Sequence, residues 1–207
     1  MSINVINISY SIDIILSNIY NKINMIYLSH LKNGGFMDKI VELKNVSKVY
    51  KIRDNEFKAL DNIDLSLNKG EMIVVLGPSG AGKSTLLNLI GGMDTPTNGS
   101  VIIDGENISK YNENKLSDYR AENVGFIFQF YNILPSLTVK ENVDIVKDIV
   151  KSPISTDEAL KGVGLLEHSK KFPNQLSGGE QQRVSIARAI AKNTKLLLCD
   201  EPTRSIR

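Results

Sequence analysis

The residues from Gly77 to Ser84, Gly-Pro-Ser-Gly-Ala-Gly-Lys-Ser, combine the features needed to hold a phosphate chain. The glycines let successive backbone N–H groups turn inward around an anion, Lys83 reaches the β and γ oxygens, and Ser84 offers its hydroxyl to Mg²⁺. Apolar residues before and after the loop predict a strand, 72–76, and a helix, 85–90, whose positive end faces the same anion. The motif predicts nucleoside triphosphate binding, and its completeness disfavours the alternative of a glycine-rich turn with no ligand.

A second cluster, Leu176-Ser177-Gly178-Gly179-Glu180, lies much further along the chain. Ser177 and Glu180 have the spacing of a capping box, which predicts that a helix begins here. A cap alone would explain those two residues. The glycines favour a binding role in addition to the cap, because they leave the N–H groups of the helix start uncovered, as a second anion site requires.

Polar side chains follow two apolar segments that are typical of buried parallel strands. Asp200 and Glu201 come directly after 196–199, and Gln129 follows 124–128. Ligands of open α/β sheets gather at the carboxyl ends of the strands. Asp200 can hold Mg²⁺ there, and Glu201 can orient and polarise an attacking water. An ordinary solvated Asp-Glu pair is the alternative, which the phosphate loop disfavours.

Two short strands, 40–43 and 59–67, are predicted around a polar loop, 51–56. Tyr50 precedes that loop. A tyrosine in such a place is usually a strand or packing residue, yet an aromatic ring near a phosphate loop is also what holds a nucleoside base by stacking.

The segment between Gln129 and Ser177 is predicted to be a helical insert. Thr138–Glu141 has capping-box spacing and precedes a helix with valines on one side, and Ser155–Glu158 repeats the device. Neither helix carries a catalytic cluster.

Length and composition limit the number of domains and the kinds of partner that this chain can have. A chain of 207 residues, 42% hydrophobic and 23% charged, is long enough for one globular core. The net charge of +2 gives no sign of a nucleic-acid surface or a polybasic membrane patch. The single cysteine, Cys199, fits a small core residue and a reducing compartment. No stretch reaches the roughly 20 apolar residues of a spanning helix, so we expect that this chain does not cross a membrane.

Residues 1–36 show both strand-like and helix-like spacing, so the pattern predicts neither element. Asn33-Gly34-Gly35 ends that pattern, and Met37 stands directly before a clearly patterned segment. We therefore expect residues 1–36 to be an extension with no role in the chemistry, with a docking arm as the alternative, and residues 37–207 to form the functional domain.

Together, and in this order, the phosphate loop, Gln129, Leu-Ser-Gly-Gly-Glu and Leu-Leu-Leu-Cys-Asp-Glu-Pro-Thr resemble the ATP-binding subunits of ABC transporters. Kinases, GTPases and helicases share the loop but not the Leu-Ser-Gly-Gly-Glu signature. The resemblance covers 39–203. Within the family, the segments 126–135 and 137–143 look most like the lipoprotein-release and macrolide or peptide export branch.

The resemblance implies a fold, roles and partners. The fold is α/β, a P-loop NTPase with a mostly parallel core sheet, an amino-terminal antiparallel β subdomain and a helical insert, about 130–190, that carries the signature.

Tyr50 would stack on adenine, and Gln129 would sense Mg²⁺ and water and couple to the membrane subunit. The phosphate and Mg²⁺ loop would comprise Gly77, Pro78, Ser79, Gly80, Ala81, Gly82, Lys83, Ser84 and Thr85. The signature residues Ser177, Gly178, Gly179 and Glu180 would bind the γ-phosphate of ATP held by a second copy. This implies a head-to-tail homodimer, an integral membrane permease as partner, and a cytoplasmic location on the inner face of the cell membrane.

The sequence departs from the family pattern after Glu201-Pro202-Thr203. The family continues with Gly, a small residue, Leu and Asp, whereas this chain has Arg204-Ser205-Ile206-Arg207. The family's switch histidine, which follows the Glu by roughly 30 residues, and a central strand of the sheet have no counterpart here. A chain truncated in this way is expected to leave apolar strand edges unpaired and to be poorly folded or prone to aggregation.

Three functions follow from these patterns. The first is an ATPase subunit in which Glu201, Gln129 and Lys83 serve hydrolysis, with Ser84, Gln129 and Asp200 around Mg²⁺. The second is a nucleotide-binding remnant that binds ATP without turnover. The third, a soluble ABC protein of translation or DNA repair, is disfavoured because such proteins carry tandem cassettes or a long coiled-coil insertion.

Overall fold

A computed structural model of the chain describes residues 4–7 and 38–200. The chain divides into two compact units, with the boundary between Leu116 and Ser117. Glu201 and the residues after it lie outside the described residues, as do residues 8–37. The expectation about Glu201 therefore concerns a residue that the structure does not describe.

The first unit is built on an antiparallel sheet. Strands β2 (Lys39–Ile52) and β3 (Asn55–Asn68) form a long hairpin, and β2 also pairs with β5 (Asn98–Ile103), which pairs with the short β6 (Glu106–Asn107). Alternate residues of these strands face the core, as period-two side chains require. Val41, Leu43, Val46, Leu60 and Val101 are almost fully buried. The amino-terminal antiparallel β subdomain that the resemblance implied is present.

The hairpin is longer than predicted. Residues 51–56, expected to be a polar loop, instead extend both strands up to a two-residue turn at Arg53 and Asp54, where Arg53 has a positive φ of 55°. The expectation failed because charged side chains are tolerated on an exposed two-stranded ribbon, where Lys51 and Glu56 pair across the strands at 3.5 Å.

Strand β4 (Ile73–Leu76) leads into the phosphate loop, and helix α1 (Lys83–Ile90) leaves it. This is the strand, glycine loop and helix that the sequence predicted. Strand β1 (Asn4–Asn7) pairs antiparallel with β4, in the register Asn4 to Leu76 and Asn7 to Ile73. Part of the amino-terminal extension therefore supplies a strand next to the loop.

Helix α2 (Glu113–Asn123) joins the two units along the chain, and the second unit holds a parallel strand pair and a helical region. Strands β7 (Val124–Ile127) and β8 (Leu196–Cys199) pair in parallel, with Val124 opposite Leu196 and Ile127 opposite Cys199. Helices α3 (Val139–Asp144) and α4 (Thr156–Gly162) pack against α5 (Gly178–Ala191). Fully buried side chains at this packing are Val139, Val143, Leu160, Val184 and Ala187.

Local capping determines where these helices begin. Thr138 and Glu141 form the predicted capping box of α3. At α4, the Ser155 side chain accepts a hydrogen bond from the Glu158 N–H, which is one half of the box that the sequence predicted there. The valine-lined helix is shorter than expected, because the chain tightens into a 3₁₀ turn at Ile145–Asp148. No helix within the described ranges is long and apolar enough to span a membrane.

Candidate functional site

The phosphate loop closes on itself through backbone hydrogen bonds. The Ala81 N–H donates to the Pro78 carbonyl at 3.1 Å, and the Leu86 N–H donates to the Gly82 carbonyl at 2.9 Å as α1 begins. Ala81 is buried, whereas Gly80 and the residues before it are exposed or half-buried. The loop is thus anchored at its end and open along its length, which suits a loop that wraps an anion.

Lys83 is the first residue of α1, and its charge lies within the loop. Its Nζ donates to the Gly77 carbonyl at 2.9 Å and to the Pro78 carbonyl at 3.0 Å. These carbonyls hold the ammonium at the centre of the turn, beside the positive end of the helix. Phosphate oxygens that entered the loop would meet a positioned cation and the backbone N–H groups together.

Gly82 is required by a close approach of two backbone segments. Its φ is 88°, and a Cβ added there would lie 2.4 Å from the Ala59 carbonyl oxygen of β3. Gly80 also has a positive φ, of 78°, but an added Cβ would meet open space among the described residues. The hairpin of the first unit therefore fixes the position of the phosphate loop through Gly82.

Tyr50 belongs to a compact cluster with Lys48 and Asp94. Its hydroxyl donates to Asp94 Oδ2 at 2.9 Å, and Lys48 Nζ donates to Asp94 Oδ1 at 2.6 Å. Burial raises the pKa of the Tyr50 phenol; the Thr85 side chain partly offsets this rise, and Asp94 adds to it. Tyr50 and Thr85, which lie far apart in the sequence, thus interact in the first unit.

Gln129 and Asp200 lie at the same edge of the second unit. They follow the neighbouring parallel strands β7 and β8, and the Asp200 N–H continues the ladder by donating to the Ile127 carbonyl at 3.0 Å. Both side chains are half-buried. The structure brings these two predicted residues together, as the parallel register requires. Glu201 follows Asp200 and lies outside the described residues.

The predicted signature begins helix α5, with Ser177 as its N-cap. Ser177 donates to Glu180 Oε2 from its N–H at 2.7 Å and from its Oγ at 2.6 Å, and the capping box is complete. Ser177 is exposed. A Cβ on Gly179 would find, among the described residues, only the Arg183 guanidinium, 3.9 Å away. The packing described here does not itself require a glycine at that position.

Sequence reasoning missed residues that organise the loops around these positions. The fully buried amide of Asn142 accepts from the Leu134 N–H at 2.7 Å and donates to three carbonyls, those of Leu134, Leu137 and Thr138, at 3.0 Å. It thereby fixes the segment that follows Gln129. An asparagine beside Val139 and Val143 in the predicted helix was the one sequence signal that could have identified it, because an amide on an apolar face needs local partners.

His168 is a second residue that no motif in the sequence selects. Its Nδ1 lies 3.0 Å from Glu180 Oε1, on the side of the carboxylate opposite Ser177. The Ser177 hydroxyl and N–H, opposed by burial and helped by the charges of His168 and Arg183, lower the pKa of Glu180. The contacts with Ser177 are therefore the main reason that Glu180 favours the carboxylate form.

The predicted Mg²⁺ ligands have suitable chemistry. Ser84, Gln129 and Asp200 offer hydroxyl, amide and carboxylate oxygens, the donors that Mg²⁺ prefers. Within the described ranges, no group of three or more His, Cys, Asp or Glu side chains forms a metal site by itself. Mg²⁺ in nucleotide sites is commonly held by one or two carboxylates together with substrate phosphates, and Asp200 is the one carboxylate of the predicted set.

These features define a domain of the ATP-binding cassette class, and comparisons with known proteins identify its family. The family model described as ABC transporter matches residues 60–204. The chain belongs to the ABC transporter family and contains its ATP-binding domain.

Several relatives share this domain. A putative ABC transporter ATP-binding protein of Mycoplasma pneumoniae is 48% identical over 172 residues, which are 82% of this chain and 37% of that protein. The Bacillus subtilis ABC transporter ATP-binding protein YknY is 43% identical over 174 residues, 81% of this chain and 75% of that protein. The chain thus spans little more than a third of the Mycoplasma relative and three quarters of the Bacillus protein.

Solved structures share the fold. The chain is similar, with a TM-score of 0.71 and 40% identity over 80% of its length, to the ATP-binding cassette MJ0796 in a dimeric post-hydrolysis state bound to ADP and Pi. That match covers 75% of the solved chain. A second dimeric structure of MJ0796 gives a TM-score of 0.73 at 39% identity, over 81% of this chain and 76% of the solved one.

Proposed function

We propose that this chain is the subunit of an ABC transporter that binds and hydrolyses ATP to drive a membrane partner. The observation that carries the proposal is the phosphate loop, where the Lys83 ammonium is positioned over the loop carbonyls at the start of α1. A loop of this construction binds the β- and γ-phosphates of a nucleoside triphosphate. ATP is the nucleotide we assign, because the homologous cassette MJ0796 is described as bound to ADP and Pi.

In the proposed reaction, Lys83 and the loop N–H groups hold the phosphates, and Glu201 orients a water for in-line attack on the γ-phosphate. Gln129 and Asp200 lie at one strand edge of the second unit, and in the proposed reaction both serve the reacting phosphate. Ser84, Gln129 and Asp200 would hold Mg²⁺, which would supply positive charge to offset the charge on the phosphate oxygens. Tyr50 stacks on the base.

We infer a nucleotide-sandwich homodimer as the working form. Ser177, Gly178, Gly179 and Glu180 begin α5 at an exposed helix start, and the space beside Gly179 leaves room for a second molecule to approach. The N-terminal end of that helix favours an anion such as the γ-phosphate held by the other copy. Both solved MJ0796 structures named above are described as dimeric.

The proposed partner is an integral membrane permease, which would hold the subunit at the cytoplasmic face of the cell membrane. The segment after Gln129 exposes Phe130, with 77% of its surface accessible, and Leu134, and Asn142 holds the backbone of that segment. Within the family we assign the lipoprotein-release and macrolide or peptide export branch, on the sequence of 126–143.

Binding of Mg-ATP and steady-state hydrolysis by the purified chain test the proposal, with Lys83→Ala and Glu201→Gln as variants. Loss of a charged hydrogen-bond donor should weaken ATP binding by about tenfold or more in Lys83→Ala. Glu201→Gln should retain binding and abolish turnover. Lys58→Ala, which removes an exposed lysine of β3, is the matched control.

Each alternative predicts a different result. ATP binding that depends on Lys83, without turnover by the unmodified chain, would favour the nucleotide-binding remnant. Equal ATP affinity in the unmodified chain and Lys83→Ala would contradict the assignment of the loop.

A further inference from the structure

Lys48, Tyr50 and Asp94 make more polar contacts with one another than a tyrosine needs if it serves only to pack. Lys48 Nζ contacts Asp94 Oδ1 at 2.6 Å and the Thr95 carbonyl at 2.8 Å, and it lies 4.9 Å from the centroid of the Tyr50 ring. The Tyr50 hydroxyl contacts the other oxygen of the same carboxylate at 2.9 Å. One carboxylate therefore fixes both the cation and the phenol.

Asp94 is itself tied to the helix that starts in the phosphate loop. The N–H groups of Met93 and Asp94 donate to the Asn88 carbonyl at 2.9 and 3.3 Å, just beyond the end of α1. Lys83 is the first residue of that helix. The cluster thus links the ring of Tyr50, on β2, to the same rigid element that carries the phosphate-binding lysine.

The lysine also restricts how the ring can be used. Its ammonium lies over one face of Tyr50, at a distance typical of a cation–π contact. A base that stacks on this ring would therefore use the opposite face. Because the ring is held at its hydroxyl and covered on one side, it is presented in one orientation before any nucleotide arrives, so less conformational entropy is lost on binding.

Burial distinguishes this ion pair from others on the hairpin. The side chains of Lys48 and Asp94 are 13% and 27% exposed, whereas those of Lys58 and Asp61, also an ion pair at the sheet, are 55% and 58% exposed. Exposed pairs contribute little to stability. The pair beside Tyr50 has lost much of its water and is hydrogen-bonded on both carboxylate oxygens.

We propose that Lys48 and Asp94 are positioning residues that set the orientation of Tyr50 and thereby determine how much the nucleotide base contributes to affinity. This inference rests on the proposed ATP-binding function. It predicts that the cluster affects ligands with a base and leaves the binding of phosphates alone unchanged.

The test compares the affinities of the full chain for Mg-ATP and for inorganic tripolyphosphate with Mg²⁺. Tyr50→Ala should weaken ATP binding by about five- to a hundredfold, the range expected for loss of one base stack, and leave tripolyphosphate unchanged. Asp94→Asn, Lys48→Met and Tyr50→Phe should each weaken ATP binding by a smaller factor, about two- to tenfold, again without an effect on tripolyphosphate. Asp61→Asn is the matched control and should change neither affinity.

A double substitution makes the test stricter. If Asp94 acts through Tyr50, Asp94→Asn should add little further loss of ATP affinity in a Tyr50→Ala background. Equal losses for ATP and tripolyphosphate would indicate a general structural role and overturn the inference, as would unchanged ATP affinity in Asp94→Asn and Tyr50→Phe. Tyr50→Phe removes only the hydroxyl that contacts Asp94 and keeps the ring and its packing. It therefore still tests the inference if Asp94→Asn fails to fold. Absence of any Lys83-dependent binding in the unmodified chain would instead overturn the proposed function, and with it this inference.

Discussion

At the scale of single residues, the phosphate loop depends on a glycine for a reason outside the loop. Gly82 combines a positive φ of 88° with an Ala59 carbonyl oxygen that lies where a Cβ would be placed, at 2.4 Å. Backbone atoms cannot move aside as a flexible side chain can. The same loop contains Gly80, which has a similar φ and open space around it.

We therefore predict that Gly82→Ala disrupts the domain much more than Gly80→Ala. Each alanine incurs a cost of about 1–2 kcal/mol for the left-handed conformation, and at Gly82 the contact with β3 adds to it. In Gly82→Ala, the midpoint temperature of thermal unfolding and the affinity for Mg-ATP should both fall sharply. In Gly80→Ala, the midpoint temperature should fall only modestly. Equal effects of the two substitutions would contradict the role assigned to the Ala59 carbonyl.

Cys199 shows the effect of an apolar environment on a single group. Burial raises the pKa of its thiol to about 12, so the thiol is protonated near neutral pH. The residue itself is half-buried at the end of β8, so it is less enclosed than the small core residue that its apolar run predicted.

At the scale of elements, the start of α5 joins capping to the proposed anion site. Glu180 accepts from Ser177 through one oxygen and lies 3.0 Å from His168 through the other. The lowered pKa of Glu180 means that the folded state binds its proton less readily than the unfolded chain does. Its contribution to stability is present above the unfolded pKa, near the ordinary value of 4.5, and is lost as the pH falls through the lower folded value.

We predict that Glu180→Gln makes the stability of the chain less dependent on pH below about 4.5, because the group that titrates is gone. At neutral pH the amide still offers an oxygen to the Ser177 N–H, so the midpoint of thermal unfolding should fall only slightly. Thermal unfolding followed by circular dichroism from pH 3 to 7 measures both effects. Glu167→Gln, in the neighbouring 3₁₀ turn, serves as a control. Parallel pH profiles for the unmodified chain and Glu180→Gln would count against this interpretation of the cap.

At the scale of the whole molecule, the amino-terminal extension has a structural connection that its mixed pattern did not predict. Asn4–Asn7 pairs with all four residues of β4, the strand that delivers the phosphate loop. The internal contacts of the loop, by contrast, come from β3 and α1. The pairing of β1 with β4 and the contacts of the phosphate loop thus involve different parts of the first unit.

We predict that a chain beginning at Met37 is less stable but retains nucleotide affinity. Loss of β1 removes the backbone hydrogen bonds between this strand and β4, and each such bond contributes about 0.5–1.5 kcal/mol. Thermal unfolding should shift to lower temperature, with the Mg-ATP dissociation constant unchanged. A variant with Val5→Pro, which blocks the pairing without shortening the chain, should behave in the same way. Loss of ATP affinity in both proteins would show that the extension has a role in nucleotide binding.

Much of the domain could be predicted because its signals are local. The capping boxes at Thr138 and Ser177 need residues three apart, and the structure has both. The parallel strands before Gln129 and Asp200 were predictable from continuous apolar runs. The hairpin strands were predicted too short because the charged residues around the turn satisfy strand and loop equally well in sequence, and only cross-strand pairing distinguishes the two.

The sequence by itself determined the family, the phosphate loop and the start of the signature helix, because each depends on a few consecutive residues whose backbone and side chains interact with one another. Only the tertiary structure decided why Gly82 must be glycine, which carboxylate holds Tyr50, and how Asn142 fixes the segment after Gln129. Lys48 and Asp94 are 46 residues apart, and no pattern in the sequence identifies one as the partner of the other. Such contacts form only when strands and helices distant in the chain pack together and bury polar groups that must then find partners.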